Sequence, residues 1–237
     1  MKKTFTIGEI KAEARDRLIT NLFSPIFVTF LYSITFIIKN MCISNALVDD
    51  IVFQISLETL SLLLAVFYGL FDFGLAYYYL NYMSGRKCSA INLFSGLAFA
   101  PGRTLVISAI LYLIQFVCML PYKIYYYVIG MDDAMHYAIG IGILFVGYIM
   151  NIIINLSFAP IYYILADLPE ISIKKAIRLS FWLMKGNKMK YLLLNLSFIP
   201  LYLLSLLSFG IALLWVTPYK YCSNTIFYLD LANKKEA

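Results

Sequence analysis

The sequence predicts an all-α fold, a polytopic transmembrane helical bundle of about six spans arranged as three hairpins, each preceded by a cytoplasmic interfacial helix. Three observations predict it. Hydrophobic residues make up 62% of the 237 positions, charged residues only 14%, and the mean hydropathy is +0.81. Soluble domains carry charge at about a quarter of their positions. Apolar runs recur along the chain, each long enough for the roughly 20 residues that a helix needs to cross about 30 Å of hydrocarbon. Basic residues gather between alternate runs, as the positive-inside rule requires.

The first element is a helix over about 6–19. Thr6 and Glu9 have the spacing of a capping box, Phe5 and Ile10 that of a hydrophobic staple, and Ile7, Ile10, Ala14 and Leu18 form a narrow apolar stripe. The opening MKKTFTIGEIKAEARDRL is positively charged, but no apolar core with a small-residue cleavage site precedes Leu22. The first span, about 22–38, is therefore expected to serve as the insertion signal. Span two covers about 51–80. A shorter interfacial segment follows at about 90–99 (AINLFSGLAF), bounded by Gly85 and by Pro101-Gly102.

Spans three and four cover about 104–128 and 138–166. Between spans four and five, residues 167–190 (DLPEISIKKAIRLSFWLMKGNKMK) hold six of the nineteen Lys and Arg. At 100° per residue, Ile173, Ala176, Ile177, Leu179, Ser180, Phe181, Leu183 and Met184 cover a broad arc, and Lys174, Lys175, Arg178 and Lys185 cluster opposite. Trp182 sits amid that basic face. This pattern predicts an amphipathic helix over about 172–186, lying in the headgroup region with a lipid-facing basic surface. The last apolar run, 191–229, would make a single helix of about 58 Å, too long for one span. A Ser208-Phe209-Gly210 break divides it into spans of about 191–208 and 211–229.

Six spans put both termini in the cytoplasm of a multi-pass protein of the cell membrane, with sixteen of the nineteen Lys and Arg on the inner side. The outer loops then hold Lys39 and Lys123 against Asp49, Asp50, Asp132 and Asp133, while Lys220 falls within a span. Tyr77, Tyr78, Tyr79, Tyr82, Tyr162, Tyr163 and Tyr191 read as an inner aromatic belt, and Tyr122, Tyr125, Tyr126 and Tyr127 as an outer one. The net charge of +6 is dispersed between apolar runs. Anionic membrane lipid is therefore the expected partner, with a membrane protein partner or a second copy of the chain also in view, and nucleic acid is not expected. Cys42, Cys88, Cys118 and Cys222 lack CxxC spacing and read as apolar thiols.

The run IKKAIRLSFWLMKGNKMKYLLLNLSFIPLYLLSLLSFGIALLWVTPY, the FYLDL at 227–231 and the IKAEARDRL opening resemble an uncharacterised bacterial integral-membrane family, number 975 among the domains of unknown function. The resemblance covers most of the chain and is strongest from Asp167 onward. Family members typically carry Gly-Asn after the interfacial helix at both ends; Gly186-Asn187 matches, whereas the first copy here is Thr20-Asn21. The resemblance implies a multi-span bundle and no catalytic residues. A more distant likeness is to the membrane region attached to some glycerophosphodiester phosphodiesterases, without a phosphodiesterase domain.

Span two carries the sharpest chemical signal. Glu58, Ser61, Ala65, Gly69, Asp72 and Ala76 fall within about 80° of one another on a helical wheel, making one face small and acidic. An ionisable group within a span must be paired or must line a cavity. Asn151 and Asn155 on span four, with Gly140 and Gly147 on the same face, Asn195 on span five and Lys220 on span six complete a candidate intramembrane polar core. Lys220 shares its face with Thr217 and Asn224, beside Pro218, and is placed either to pair with Asp72 or to snorkel.

Enzyme chemistry is not expected. HExxH, GxSxG and a phosphate-binding glycine loop are all absent from the sequence, and the single histidine, His136, lies in an acidic loop with Asp132 and Asp133. That loop reads as solvated rather than metal-binding, and no cofactor is implied. Two functions follow. One is a non-enzymatic accessory, assembly or self-protection (immunity-like) factor acting through lipid or protein partners; the other is a small transporter or channel component using the acidic intramembrane face. Intramembrane catalysis is a distant third.

Overall fold

A computed structural model describes residues 5–43, 51–130 and 133–235, and helix is the sole regular structure among them. The first helices are α1 (Ile7–Thr20), α2 (Phe23–Ile43) and α3 (Ile51–Met83). Thr6 caps α1 as expected: its hydroxyl accepts from the Glu9 amide at 3.2 Å, and the Glu9 carboxylate accepts from the Thr6 amide at 2.6 Å. The α1 stripe of Ile10, Ala14 and Leu18 is buried, packed on the last helix, α11 (Leu213–Lys235). The chain bends by 101° between α1 and α2. Such a bend carries α1 across the end of the bundle while α2 runs along it.

The expected interfacial helix over 90–99 is instead two single turns, a 3-10 turn at Ala90–Phe94 and α4 (Ser95–Ala98). Close packing explains the break. A Cβ on Gly74 would lie 1.8 Å from the Leu93 carbonyl oxygen, and one on Gly96 would lie 2.3 Å from the Leu70 carbonyl oxygen. The segment thus lies backbone to backbone on α3, an approach that glycine permits. Pro101, in the first turn of α5 (Pro101–Val128), then starts the next long helix without leaving an amide unpaired.

The remaining helices are α6 (Ala134–Phe158), α7 (Ile161–Asp167), α8 (Ile173–Met184), α9 (Lys188–Leu196) and α10 (Ile199–Leu207). Ser208, Phe209 and Gly210 separate α10 from α11, with Phe209 and Gly210 at φ of 51° and 85°. Four helical stretches among the described residues are long and apolar enough to cross a membrane, namely Thr59–Met83, Pro101–Val128, Ala134–Asp167 and Lys188–Leu207. Counting the bent α1–α2 pair as one makes five. The sixth expected span, 211–229, falls on α11, which is long enough but is not among them, because Lys220 together with Thr217, Pro218, Tyr219 and Asn224 dilutes its apolar character.

The core is mainly aliphatic but includes several buried aromatic rings. Tyr78 and Tyr79, expected in an aromatic belt, are fully buried instead. Tyr79 stacks on Tyr221 and shares a 2.6 Å hydrogen bond with Thr29, and Tyr78 shares one of 2.7 Å with Ser24. Each hydroxyl has a partner from another helix, which lets it be buried among apolar side chains.

Candidate functional site: a polar cavity around Asp72

The small, acidic face of α3 turns inward, toward α5 and α7. At Gly69 a Cβ would lie 1.7 Å from Ser108 Oγ, so α3 and α5 approach at the small residue that the sequence singled out. Beside that contact lies an open cavity of about 450 Å³. Asp72, Tyr68, Ala65 and Ser61 of α3 form one wall, Ser108, Tyr112 and Gln115 of α5 another, and Tyr32 of α2, Asn155 of α6 and Tyr162 of α7 close it. Asp72 is eleven residues from the end of α3, about 16 Å by helical rise, and so near the middle of the apolar stretch Thr59–Met83.

Hydrogen bonds fix the walls. The Tyr32 hydroxyl donates to Asp72 Oδ1 at 2.6 Å. The hydroxyls of Tyr112 and Ser61 meet at 3.2 Å, and those of Tyr162 and Ser108 at 3.0 Å. The Tyr32 ring lies 5.4 Å from that of Tyr68 and 6.1 Å from that of Tyr221, which approaches edge-on from α11. With several lining hydroxyls tied to neighbours, the cavity offers a carboxylate and aromatic rings. Among the described residues, its lining contains Asp72 and no Lys, Arg or His.

The expected polar core is only partly assembled. Asn155 lines the cavity, and its amide donates to the side-chain oxygen of Asn151 at 2.8 Å. Asn195 donates to its own helix, at the Tyr191 carbonyl, and does not reach the cavity. Lys220 sits with its Nζ 5.6 Å from the centre of the Tyr202 ring, and among the described residues no ion pair joins it to Asp72. The reason is angular: successive helical residues point 100° apart, and α11 presents Tyr221, not Lys220, to Tyr32. The side chain of Glu58 lies outside the described residues. Sequence reasoning missed Tyr32, Tyr68, Tyr112 and Gln115 as site residues and assigned Tyr162 to a belt. The available signal was their depth, since Tyr32, Tyr68 and Tyr112 stand well inside their apolar runs, away from the interfaces where tyrosine concentrates.

The other polar features are structural in character. Lys11 of α1 donates to the carbonyl and hydroxyl of Ser197, both at 3.2 Å, where α9 gives way to α10, and lies 4.5 Å from the centre of the Phe198 ring. Burial pushes its pKa below the ordinary lysine value. Arg17 donates to the Met83 carbonyl at the end of α3, and Tyr82 of α3 returns bonds to the Arg17 and Asn21 carbonyls at 3.1 and 2.9 Å. Lys190 pairs with the buried Asp230 at 3.4 Å. A second cavity, of about 420 Å³, has Glu13, Arg17, Asp230 and Lys234 in its lining and thus charges of both signs.

On α8, Lys174, Lys175, Arg178 and Trp182 are exposed, as is Lys185 just beyond it, while Ala176, Ser180, Leu183 and Met184 are buried. Ser180 donates to the Ser157 carbonyl at 2.7 Å, and Phe181 packs edge-on against Phe158. His136 shares a 2.9 Å hydrogen bond with the Tyr125 hydroxyl. Among the described residues no three His, Cys, Asp or Glu side chains are grouped to hold a metal; Asp132 lies outside them.

The family model described as a protein of unknown function (DUF975) matches residues 1–235. No curated protein and no solved structure matches the chain.

Proposed function

The chain belongs to this family of unknown function, and we propose that it is a non-enzymatic multi-pass membrane protein that admits a small solute to the Asp72 cavity, as a small transporter or channel component. The observation that carries this reading is the cavity. Polar residues that only hold helices together are closed over by packing. Here an open space of about 450 Å³ adjoins an acid midway along the apolar stretch Thr59–Met83, and within a span such acids mark a solute or ion path. The topology that accompanies it has about six spans in three hairpins, with α11 as the last, and both termini in the cytoplasm. In that topology α1, the Ala90–Ala98 turns and α8 lie on the cytoplasmic face of the cell membrane.

Cysteine accessibility tests the reading. Ala65 lines the cavity. Ala65→Cys, in a chain whose native cysteines are replaced by alanine, should react with a membrane-impermeant thiol reagent from at least one side of sealed vesicles. A normally inserted variant that reacts from neither side would contradict it.

A second reading, an accessory, assembly or self-protection factor working through lipid or a protein partner, is favoured by one observation. Lys174, Lys175, Arg178, Trp182 and Lys185 leave a basic, tryptophan-bearing surface uncovered. Its charge complements anionic headgroups.

A further inference from the structure

We propose that α8 is a lipid-responsive latch on the cavity beside α3: anionic headgroups gathered on its basic surface hold α7, and with it Tyr162, in the position that closes the cavity. The inference rests on the reading of the cavity as a solute site and adds a means of control to it.

The latch acts at a weak point in the chain. α6 ends at Phe158 and α7 begins at Ile161, and Pro160 between them has no amide with which to continue the helical hydrogen bonds. α8 holds this break from the side. Ser180 is fully buried and its hydroxyl donates to the Ser157 carbonyl at 2.7 Å, while Phe181 meets Phe158 edge-on with ring centres 5.0 Å apart. Just ahead of α8, the Ile171 carbonyl accepts from Arg103 of α5 at 3.3 Å. The helix is thus tied both to the break and to a helix that lines the cavity.

α7 carries the effect inward. Tyr162 stands in its first turn, and the Tyr162 and Ser108 hydroxyls meet at 3.0 Å in the cavity wall. Ile161, Ile164 and Leu165 are buried around it, and close-packed interiors transmit strain. A shift of α8 therefore reaches Tyr162 through one short packed segment.

The opposite face of α8 sets what it responds to. Lys174, Lys175, Arg178 and Lys185 are exposed, with Trp182 among them, and near an anionic surface each basic residue contributes about 1 kcal/mol. Headgroups engage all of these charges together only while α8 lies along the surface, the orientation in which its buried face stays on the break. A ligand shifts a conformational equilibrium through its differential affinity. Here that difference favours the closed arrangement.

The experiment compares the full-length protein in nanodiscs of phosphatidylcholine alone and of an equal mixture of phosphatidylcholine and phosphatidylglycerol. Two quantities are read: hydrogen exchange of the α7 amides, and the rate at which Ala65→Cys, in a chain whose native cysteines are replaced by alanine, reacts with an uncharged maleimide. An uncharged reagent is not concentrated by the lipid charge. Both rates should fall at least about fivefold in the anionic discs, the lower range of ordinary coupling between sites. Replacing Lys174, Lys175, Arg178 and Lys185 together with glutamine should make the two discs equivalent. Ser180→Ala should do the same while anionic lipid is still retained, which separates loss of the latch from loss of the lipid surface. The main comparison uses one chain in two lipids, so it stands even where a variant fails to fold. Equal α7 exchange in the two discs, exchange that responds while labelling does not, or a lipid effect that survives either substitution would each overturn the inference. Labelling at one rate in both discs leaves an accessible cavity without the latch. No labelling in either disc removes both readings.

Discussion

The Tyr32 hydroxyl donates to Asp72 Oδ1 at 2.6 Å, tying α2 to α3 at an acid midway along the apolar stretch Thr59–Met83. This bond both steadies the acid and sets the aromatic wall next to it. Removing the hydroxyl with Tyr32→Phe should lower stability by about 1 kcal/mol, the scale of polar contacts between membrane helices. Unfolding in mixed micelles checks the value. A stability equal to wild type would show that Asp72 is held by its other surroundings.

Close backbone contact on α3 gives a sharper expectation. Gly74→Ala places a Cβ 1.8 Å from the Leu93 carbonyl oxygen, where backbone has to shift, and should destabilise the protein by about 1–3 kcal/mol. Gly142→Ala on α6 meets nothing within 4 Å and should be neutral or stabilising by up to about 1 kcal/mol. Measured side by side, the pair tests whether the Ala90–Phe94 turn lies on α3.

Lys11 should impose a pH dependence. Burial lowers its pKa in the folded protein below the ordinary lysine value of 10.5. In the window between the lowered value and 10.5 the unfolded chain therefore binds more protons, and stability rises with pH. Below the window the penalty for burying the charged ammonium is fully present. Lys11→Met should flatten this contribution, which is read from the difference between the two stability-against-pH curves so that other lysines and tyrosines cancel.

Replacing Lys174, Lys175, Arg178 and Lys185 together with glutamine should leave insertion and orientation unchanged and reduce retention of anionic lipid on purification. Near a charged surface each basic residue contributes about 1 kcal/mol. Lipid analysis of the purified protein and protease protection of the termini report the two outcomes. Inverted or failed insertion would make this surface a topology anchor instead.

The parts of the fold visible in the sequence are those governed by local rules. The Thr6–Glu9 cap, the buried Ile10, Ala14 and Leu18 stripe, the uncovered lysines of α8 and the break at Phe209-Gly210 each follow from residue type and spacing within one turn or two. The small face of α3 was also legible, since a mid-span carboxylate aligned with glycine and alanine has to face protein. What the spacing could not convey was helix rotation. Lys220 and Tyr221 are neighbours in sequence, yet α11 turns Tyr221 toward Tyr32 and leaves Lys220 against Tyr202. Tyr78 and Tyr79 misled for a related reason: an interfacial position on the helix axis suits a belt, but their partners Ser24 and Thr29 come from α2, far away in sequence.

The most direct test of the cavity is its charge preference. Ala65→Cys, in the cysteine-replaced chain, is treated with methanethiosulfonate reagents of similar size, one bearing a trimethylammonium group and one a sulfonate. If Asp72 sets the charge preference of the cavity, the cationic reagent should react at least about tenfold faster relative to the rates with a free thiol. Adding Asp72→Asn should abolish that preference. Equal relative rates for the two reagents, or a cationic preference that survives the loss of the carboxylate, would contradict the assignment of Asp72 as the charge that selects what enters.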